Sequence, residues 1–173
     1  MEDCCENSIQ NESERALKRM AEMYRTPLTR MCCVWLKDAD LAEDAAQETF
    51  LRAYRAYASF RGECSEKTWL MKIAMNVCRN MKRSFWARHV DNSVEIEKLP
   101  LASAPPEPRD GMLLRSVLRL GTHEREVILL YYYQDMKLEE IAASLDASVS
   151  AVSRRLKKAR AKLLDALEEE ERV

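Results

Sequence analysis

Between Ser150 and Leu164 the chain carries six basic residues and no acid. Wound as a helix, Val149, Val152, Leu156, Leu163 and Leu167 gather on one side. Ser150, Ala151, Arg154, Lys158 and Lys162 fall largely opposite, with Arg155 and Lys157 on the flanks. Guanidinium and ammonium groups along a rigid rod suit phosphates, and Arg also suits guanine edges, so the chemistry on offer is polyanion binding in a major groove. Basic charge alone would favour a solvated surface helix, and it is the turn, Ala142 and Val152 that shift the reading toward DNA. A second row, Thr68, Lys72, Asn76, Arg79 and Arg83, combines bases and an amide beside the aromatic-tipped segment Phe60-Arg-Gly-Glu-Cys-Ser65, and this suits a nucleic-acid strand with an unstacked base. Here too a solvated face is the plain alternative. Catalytic chemistry has no counterpart: neither His89 nor His123 stands beside a nucleophile in a recognisable motif, and there is no glycine-rich phosphate loop.

The elements that must position the first row span Thr122 to Leu167. Leu138, Ile141, Ala142 and Leu145 repeat at helical spacing, and after a short polar turn Val149, Val152, Leu156, Ala159 and Leu163 do so again, which is the pattern of a helix-turn-helix. Ala142 stands where the second helix approaches closely. Asp146 takes the turn position, where a short polar side chain tolerates a left-handed backbone. Ser148 is the expected N-cap. Upstream, a helical run over Met112 to Leu120 ends at Gly121, and Thr122 is expected to cap the helix that carries Val127, Ile128, Leu130 and Tyr131.

The second row needs its own scaffold. Ala16, Met20 and Met23, then Leu28, Met31 and Leu36, predict two helical runs divided at Thr26-Pro27, with Thr26 as cap and proline in the first turn of the second run. Asp40 to Tyr57 reads as one helix with a small-residue face, Ala42, Ala46, Thr49, Phe50, Ala53 and Tyr57. Its other face, Asp44, Gln47, Glu48, Leu51 and Arg55, is either a solvent face or a docking surface. Gly62 breaks the pattern and Ser65 can cap the helix from Glu66 to about Ser84, which buries Trp69, Leu70, Ile73, Ala74, Val77 and Met81.

Composition sets the class. Three glycines and abundant helix formers in 173 residues predict an all-α protein. The expected architecture is two small helical domains joined by an extended, proline-rich linker: an acidic, frayed leader over 1–11, a first domain over 12–87, a linker over 88–109 and a helix-turn-helix domain over 110–173. The net charge of −1 conceals segregation, with acids at both ends and bases at Arg79 to Arg88 and Arg154 to Lys162. The six cysteines, at 4, 5, 32, 33, 64 and 78, follow no metal-binding spacing, so neither metal nor other cofactor is expected. Cys33 and Cys78 are expected in the core as free thiols, with a redox or metal-sensing role open for Cys4, Cys5 or Cys64. No apolar run is long enough to span a bilayer and nothing resembles a signal peptide, which points to the cytoplasm.

Taken together, Asp44-Ala-Ala-Gln-Glu-Thr-Phe-Leu-Arg-Ala-Tyr54, Phe60-Arg-Gly with Thr68-Trp-Leu-Met-Lys-Ile-Ala-Met-Asn76, and Ile141-Ala through Val152-Ser-Arg-Arg-Leu to Lys158-Ala-Arg160 resemble the extracytoplasmic-function group of bacterial sigma-70 factors. The resemblance implies promoter recognition and DNA melting as a dissociable subunit of RNA polymerase. It implies that Asp44, Gln47, Glu48, Leu51 and Arg55 dock on the polymerase clamp helices, and that the second domain meets the flap. Phe60, Arg61 and Lys67 would belong to the loop that captures a flipped base of the downstream element, and Lys72, Asn76, Arg79 and Arg83 would hold the strand. Ser150, Ala151, Arg154, Arg155, Lys157, Lys158 and Lys162 would read the upstream element. An anti-sigma factor, often membrane-bound in this family, is the implied regulator. The chain departs from the family at Met75, where a base is common, at Asp146, where glycine is usual, and at Ser150-Ala151, where Gly-Thr is usual. The rival readings are a stand-alone helix-turn-helix regulator and a nucleic-acid-processing enzyme, the latter opposed by the lack of a metal-binding carboxylate cluster.

Overall fold

The computed structural model describes the backbone of residues 2–86 and 108–171 and the side chains of 13–84 and 111–169. Among the described residues every regular element is helical, and no helix is long and apolar enough to cross a membrane. Most of the 88–109 linker lies outside them.

Three helices form the N-terminal unit: α1 (Glu2–Leu36), α2 (Ala39–Ala56) and α3 (Glu66–Trp86). Met20, Leu28, Met31, Trp35, Leu70, Met71 and Met75 are fully buried between them. Each such side chain removed from water contributes about 1.5–3 kcal/mol. Ala42, Ala45, Ala46 and Ala53 line the buried side of α2, and their small volume lets its backbone come close to α1 and α3. Asp38 caps α2 by accepting from Leu41 N–H at 2.9 Å.

Two sequence expectations for α1 fail. The backbone of residues 2–11, read as a frayed leader, is helical, and the division at Thr26-Pro27 is absent: Pro27 lies inside one continuous helix. An interior proline removes one helical hydrogen bond and costs about 3 kcal/mol. Met20 before it and Leu28, Met31 and Trp35 after it belong to the same core, so burial on both sides keeps the helix whole.

The C-terminal unit contains α4 (Pro108–Arg119), α5 (Thr122–Ile128), one π-helical turn (Leu129–Tyr133), α6 (Leu138–Leu145) and α7 (Val149–Glu171). Val117, Val127, Leu129, Leu130, Ile141, Val152 and Ala159 fill its core. Thr122 is the first residue of α5 rather than its cap. Gly121 takes the cap position and donates its N–H to Glu124 at 3.1 Å, so the first-turn acid closes the helix end that a hydroxyl was expected to close. Arg125, almost wholly buried, donates to the carbonyls of Val117, Leu118 and Leu120 and, across the units, to that of Trp35, at 2.6–3.3 Å. It satisfies carbonyls left open where α4 ends. Burial lowers its pKa from the ordinary arginine value.

Candidate nucleic-acid interface

The helix-turn-helix forms as its residues dictate. Asp146 adopts φ 51°, ψ 48°, the left-handed conformation foreseen for it, and Ala147 N–H closes the end of α6 on Ala142 C=O at 3.0 Å. Ser148 Oγ accepts from Ala151 N–H at 3.2 Å, as an N-cap should. Val152, Leu156 and Ala159 turn inward. Ser150, Arg154, Lys157, Lys158 and Lys162 are exposed, and Ala151 and Arg155 half-buried, so the seven candidates share one accessible side of α7. The sixth base, Arg160, points elsewhere: it stacks on Tyr131 and Tyr132 at 5.1 and 5.5 Å and donates to Tyr132 Oη.

Between α7 and the start of α5 lies a cleft of about 510 Å³, lined by Gly121 to Glu124 and by Ala151, Arg154, Arg155, Lys158 and Lys162. Glu124, unnoticed in the sequence, sits within it. Both its carboxylate oxygens accept from Lys162 at 2.8–2.9 Å, and Lys158 lies at 3.5 Å. The bond from Lys162, with the Gly121 N–H, holds this carboxyl below its ordinary pKa. Two of the seven candidate contacts are therefore partly neutralised before any phosphate arrives.

On the N-terminal unit, Phe60 packs on Trp69 with ring centroids 5.0 Å apart, and Tyr57 joins both at about 6 Å. Tyr57 Oη donates to Glu66 at 2.7 Å, and Arg19 holds the same carboxylate at 2.6 Å. Tyr57, Glu66 and Arg19 complete the aromatic ledge, and sequence spacing offered no sign that Arg19 belongs there. Gly62 adopts φ +71° at the loop tip, and Ser65 caps α3 through Thr68 N–H at 3.1 Å. Arg61 is exposed and Lys67 half-buried. Such a ledge is a surface on which a base can stack, with cations near enough for its phosphate.

The α3 row is brought together, but it is not an open surface. Asn76 and Arg83 are exposed, with Arg83 donating to Asn80. Thr68, expected beside them, is buried against α6. Lys72 pairs with Asp146 at 2.5 Å and Arg79 with Glu126 at 2.9 Å, both acids belonging to the C-terminal unit. Met75 is fully buried, so this chain has no side chain there to meet a phosphate.

The third surface is α2. Asp44, Gln47, Leu51 and Arg55 are exposed in one stripe, with Leu51 43% accessible, and Glu48 is half-buried and paired with Arg52 at 2.6 Å. Cys32, Cys33 and Cys78 are free and buried, and no group of three metal-binding side chains occurs among the described residues.

Residues 20–88 match the family model described as Sigma-70 region 2, and residues 110–163 match Sigma-70, region 4. RNA polymerase sigma-H factor of Pseudomonas aeruginosa is 27% identical over 92% of this chain and 90% of its own. RNA polymerase sigma factor NccH of Alcaligenes xylosoxydans xylosoxydans is 31% identical over 86% of this chain and 79% of its own. "Probable RNA polymerase sigma factor RfaY" of Xanthomonas campestris is also 31% identical, but the chain spans only 39% of that longer protein. Among solved structures, CnrH in complex with the cytosolic domain of CnrY matches with a TM-score of 0.71 at 25% identity, over 93% of this chain and 96% of that one. The sigma factor RpoE in complex with the anti-sigma factor NepR from Bartonella quintana shares the fold, with a TM-score of 0.74 at 22% identity over 89% and 98% of the two chains.

Proposed function

The chain belongs to the extracytoplasmic-function group of the bacterial sigma-70 family, and on that premise we propose that it directs core RNA polymerase to promoters and helps open them. The observation that carries this reading is the presence of three distinct surfaces on one chain. The basic side of α7 reads the upstream element through Ser150, Ala151, Arg154, Arg155, Lys157, Lys158 and Lys162. The aromatic ledge at Phe60, with Arg61, Lys67, Lys72, Asn76, Arg79 and Arg83, takes the downstream element and its displaced strand. The α2 stripe of Asp44, Gln47, Glu48, Leu51 and Arg55 docks on the polymerase clamp helices, while the C-terminal unit meets the flap.

The physical logic is additive. Each DNA contact is modest and salt-dependent, and polymerase fixes the separation of the two units so that both contacts count at once. Free in solution the protein binds promoter DNA weakly. Members of the family are transcription initiation factors, and the chemistry of initiation belongs to the polymerase; this chain supplies recognition, from the cytoplasm. An anti-sigma factor is its regulator in this reading, supported by the solved relative captured with NepR. That partner would cover the polymerase-binding or DNA-binding faces, and it could sit at a membrane. A pull-down with core polymerase tests the assignment: the chain is retained by core, and it shifts promoter DNA strongly only with core. Binding promoter DNA alone as a tight dimer while ignoring core would instead make it a stand-alone regulator.

A further inference from the structure

The six bases of α7 divide into two groups along the helix. Arg154, Arg155 and Lys157, in its first turns, make no ion pair among the described residues. Lys158, Arg160 and Lys162, farther on, are all engaged. Lys162 Nζ donates to both carboxylate oxygens of Glu124 at 2.8–2.9 Å, Lys158 Nζ lies 3.5 Å from Glu124 Oε1, and Arg160 stacks on Tyr131 and Tyr132. Unpaired positive charge is thereby confined to the N-terminal end of α7, the end at which a recognition helix meets base edges. We propose that Glu124 is a specificity-determining residue of upstream-element reading, which restrains Lys162 and Lys158 so that DNA offering only phosphates gains less from this helix than a site whose bases Arg154 and Arg155 can read. The inference rests on the assignment of α7 to the upstream element.

Capping α5 does not by itself account for the charge of Glu124. The cap uses one oxygen, Oε2, which accepts from Gly121 N–H at 3.1 Å, and an amide oxygen would serve there as well. The negative charge is what the two lysines meet, and it leaves Glu124, Lys158 and Lys162 together at net +1 instead of +2. The Glu124 side chain is only 10% accessible, whereas that of Lys162 is 48% accessible. A phosphate that drew Lys162 away would leave a carboxylate with little water around it, and this cost bears hardest on binding that has only phosphates to offer. Arg154 and Arg155 escape the restraint by distance. Lys162 follows Arg154 by eight residues, about 12 Å along the helix axis, so the acid damps the backbone contacts and leaves the base contacts alone. On a cognate site, hydrogen bonds from the two arginines to base edges supply most of the discrimination; on other DNA only phosphates hold the helix, and each cation carries a larger share.

The test uses the full chain and Glu124→Gln, whose amide oxygen keeps the bond from Gly121 N–H while the charge is lost. Fluorescence anisotropy over a range of salt reads the affinity for two labelled duplexes, one bearing the upstream element found by mapping this protein's transcripts and one with that element scrambled. In the variant the scrambled duplex is expected to bind on the order of tenfold more tightly at low salt and the element duplex about threefold, so that the ratio between them falls about threefold. The slope of log K against log salt on the scrambled duplex should steepen by about 0.9, the signature of one more phosphate neutralised. Adding Lys162→Ala restores the net charge of the cluster and should return affinity and slope on the scrambled duplex to the parental values. Equal tightening on both duplexes overturns the proposal, and so does a gain that survives Lys162→Ala. Weaker binding overturns it as well, because Glu124 would then be aiming its lysines at phosphates. A parent that does not prefer the element duplex refutes the assignment of α7, whereas a parent that prefers it and a variant that changes nothing refute only the role of Glu124.

Discussion

Replacing Leu51 by alanine should weaken core-polymerase binding by about three- to ninefold without unfolding the protein. Leu51 is 43% accessible, so docking can withdraw roughly two fifths of its side chain from water. Full burial of leucine contributes about 1.5–3 kcal/mol, which leaves about 0.6–1.3 kcal/mol to be gained at the interface. At about 1.4 kcal/mol per tenfold in affinity, that is the stated range, and because alanine retains Cβ the lower half is favoured. Labelled protein titrated with core polymerase gives the dissociation constant, and promoter sequence preference in the same preparation should not change. Met23→Ala is the control: Met23 is 59% accessible on α1, outside the α2 stripe. Parental affinity in Leu51→Ala, or an equal loss in Met23→Ala, would refute the assignment of this face.

Arg154→Ala should lower transcription from templates bearing the upstream element by about 1–3 kcal/mol, roughly fivefold to a hundredfold, and leave templates without it unaffected; equal losses on both would contradict the division of labour. Arg125→Met should destabilise the protein by about 3 kcal/mol because it orphans several buried carbonyls, which lowers Tm by roughly 6–12 °C for a chain of this size; an unshifted melting curve would show that water replaces the guanidinium. With Cys4 and Cys5 replaced by serine, one thiol, Cys64, should react quickly with a thiol reagent at pH 8, and three more only in denaturant. Burial pushes Cys33 up to about 11, and the contact with Cys78, together with burial, raises Cys32 well above the ordinary thiol value, so few thiolates are present to react. Rapid modification of all four in the native protein would place the α1–α3 packing in error.

Local rules made much of the fold legible. Asp146 could be read as left-handed because few side chains tolerate that conformation, and Ser65 and Ser148 as caps because a hydroxyl before an apolar run has one evident use. The wheel of α2 separated Ala42, Ala46 and Ala53 from Gln47 and Leu51 correctly. What escaped the sequence depends on partners far along the chain. Pro27 looked like a boundary because its cost is local, whereas the burial that overrides it comes from residues on three helices. Thr122 looked like a cap until the carboxylate of Glu124 took the Gly121 N–H. Arg79 and Lys72 were readable as cations, but their acids lie 47 and 74 residues away and nothing in the spacing announces them. The same holds for Arg125, whose buried role follows from carbonyls on two other helices.

The central claim is that this chain confers promoter selectivity on RNA polymerase, and transcript mapping tests it most directly. Core polymerase supplied with the purified protein should start at discrete sites preceded by a shared pair of upstream and downstream elements, and core alone should not. Start sites that are identical with and without the protein would contradict the account.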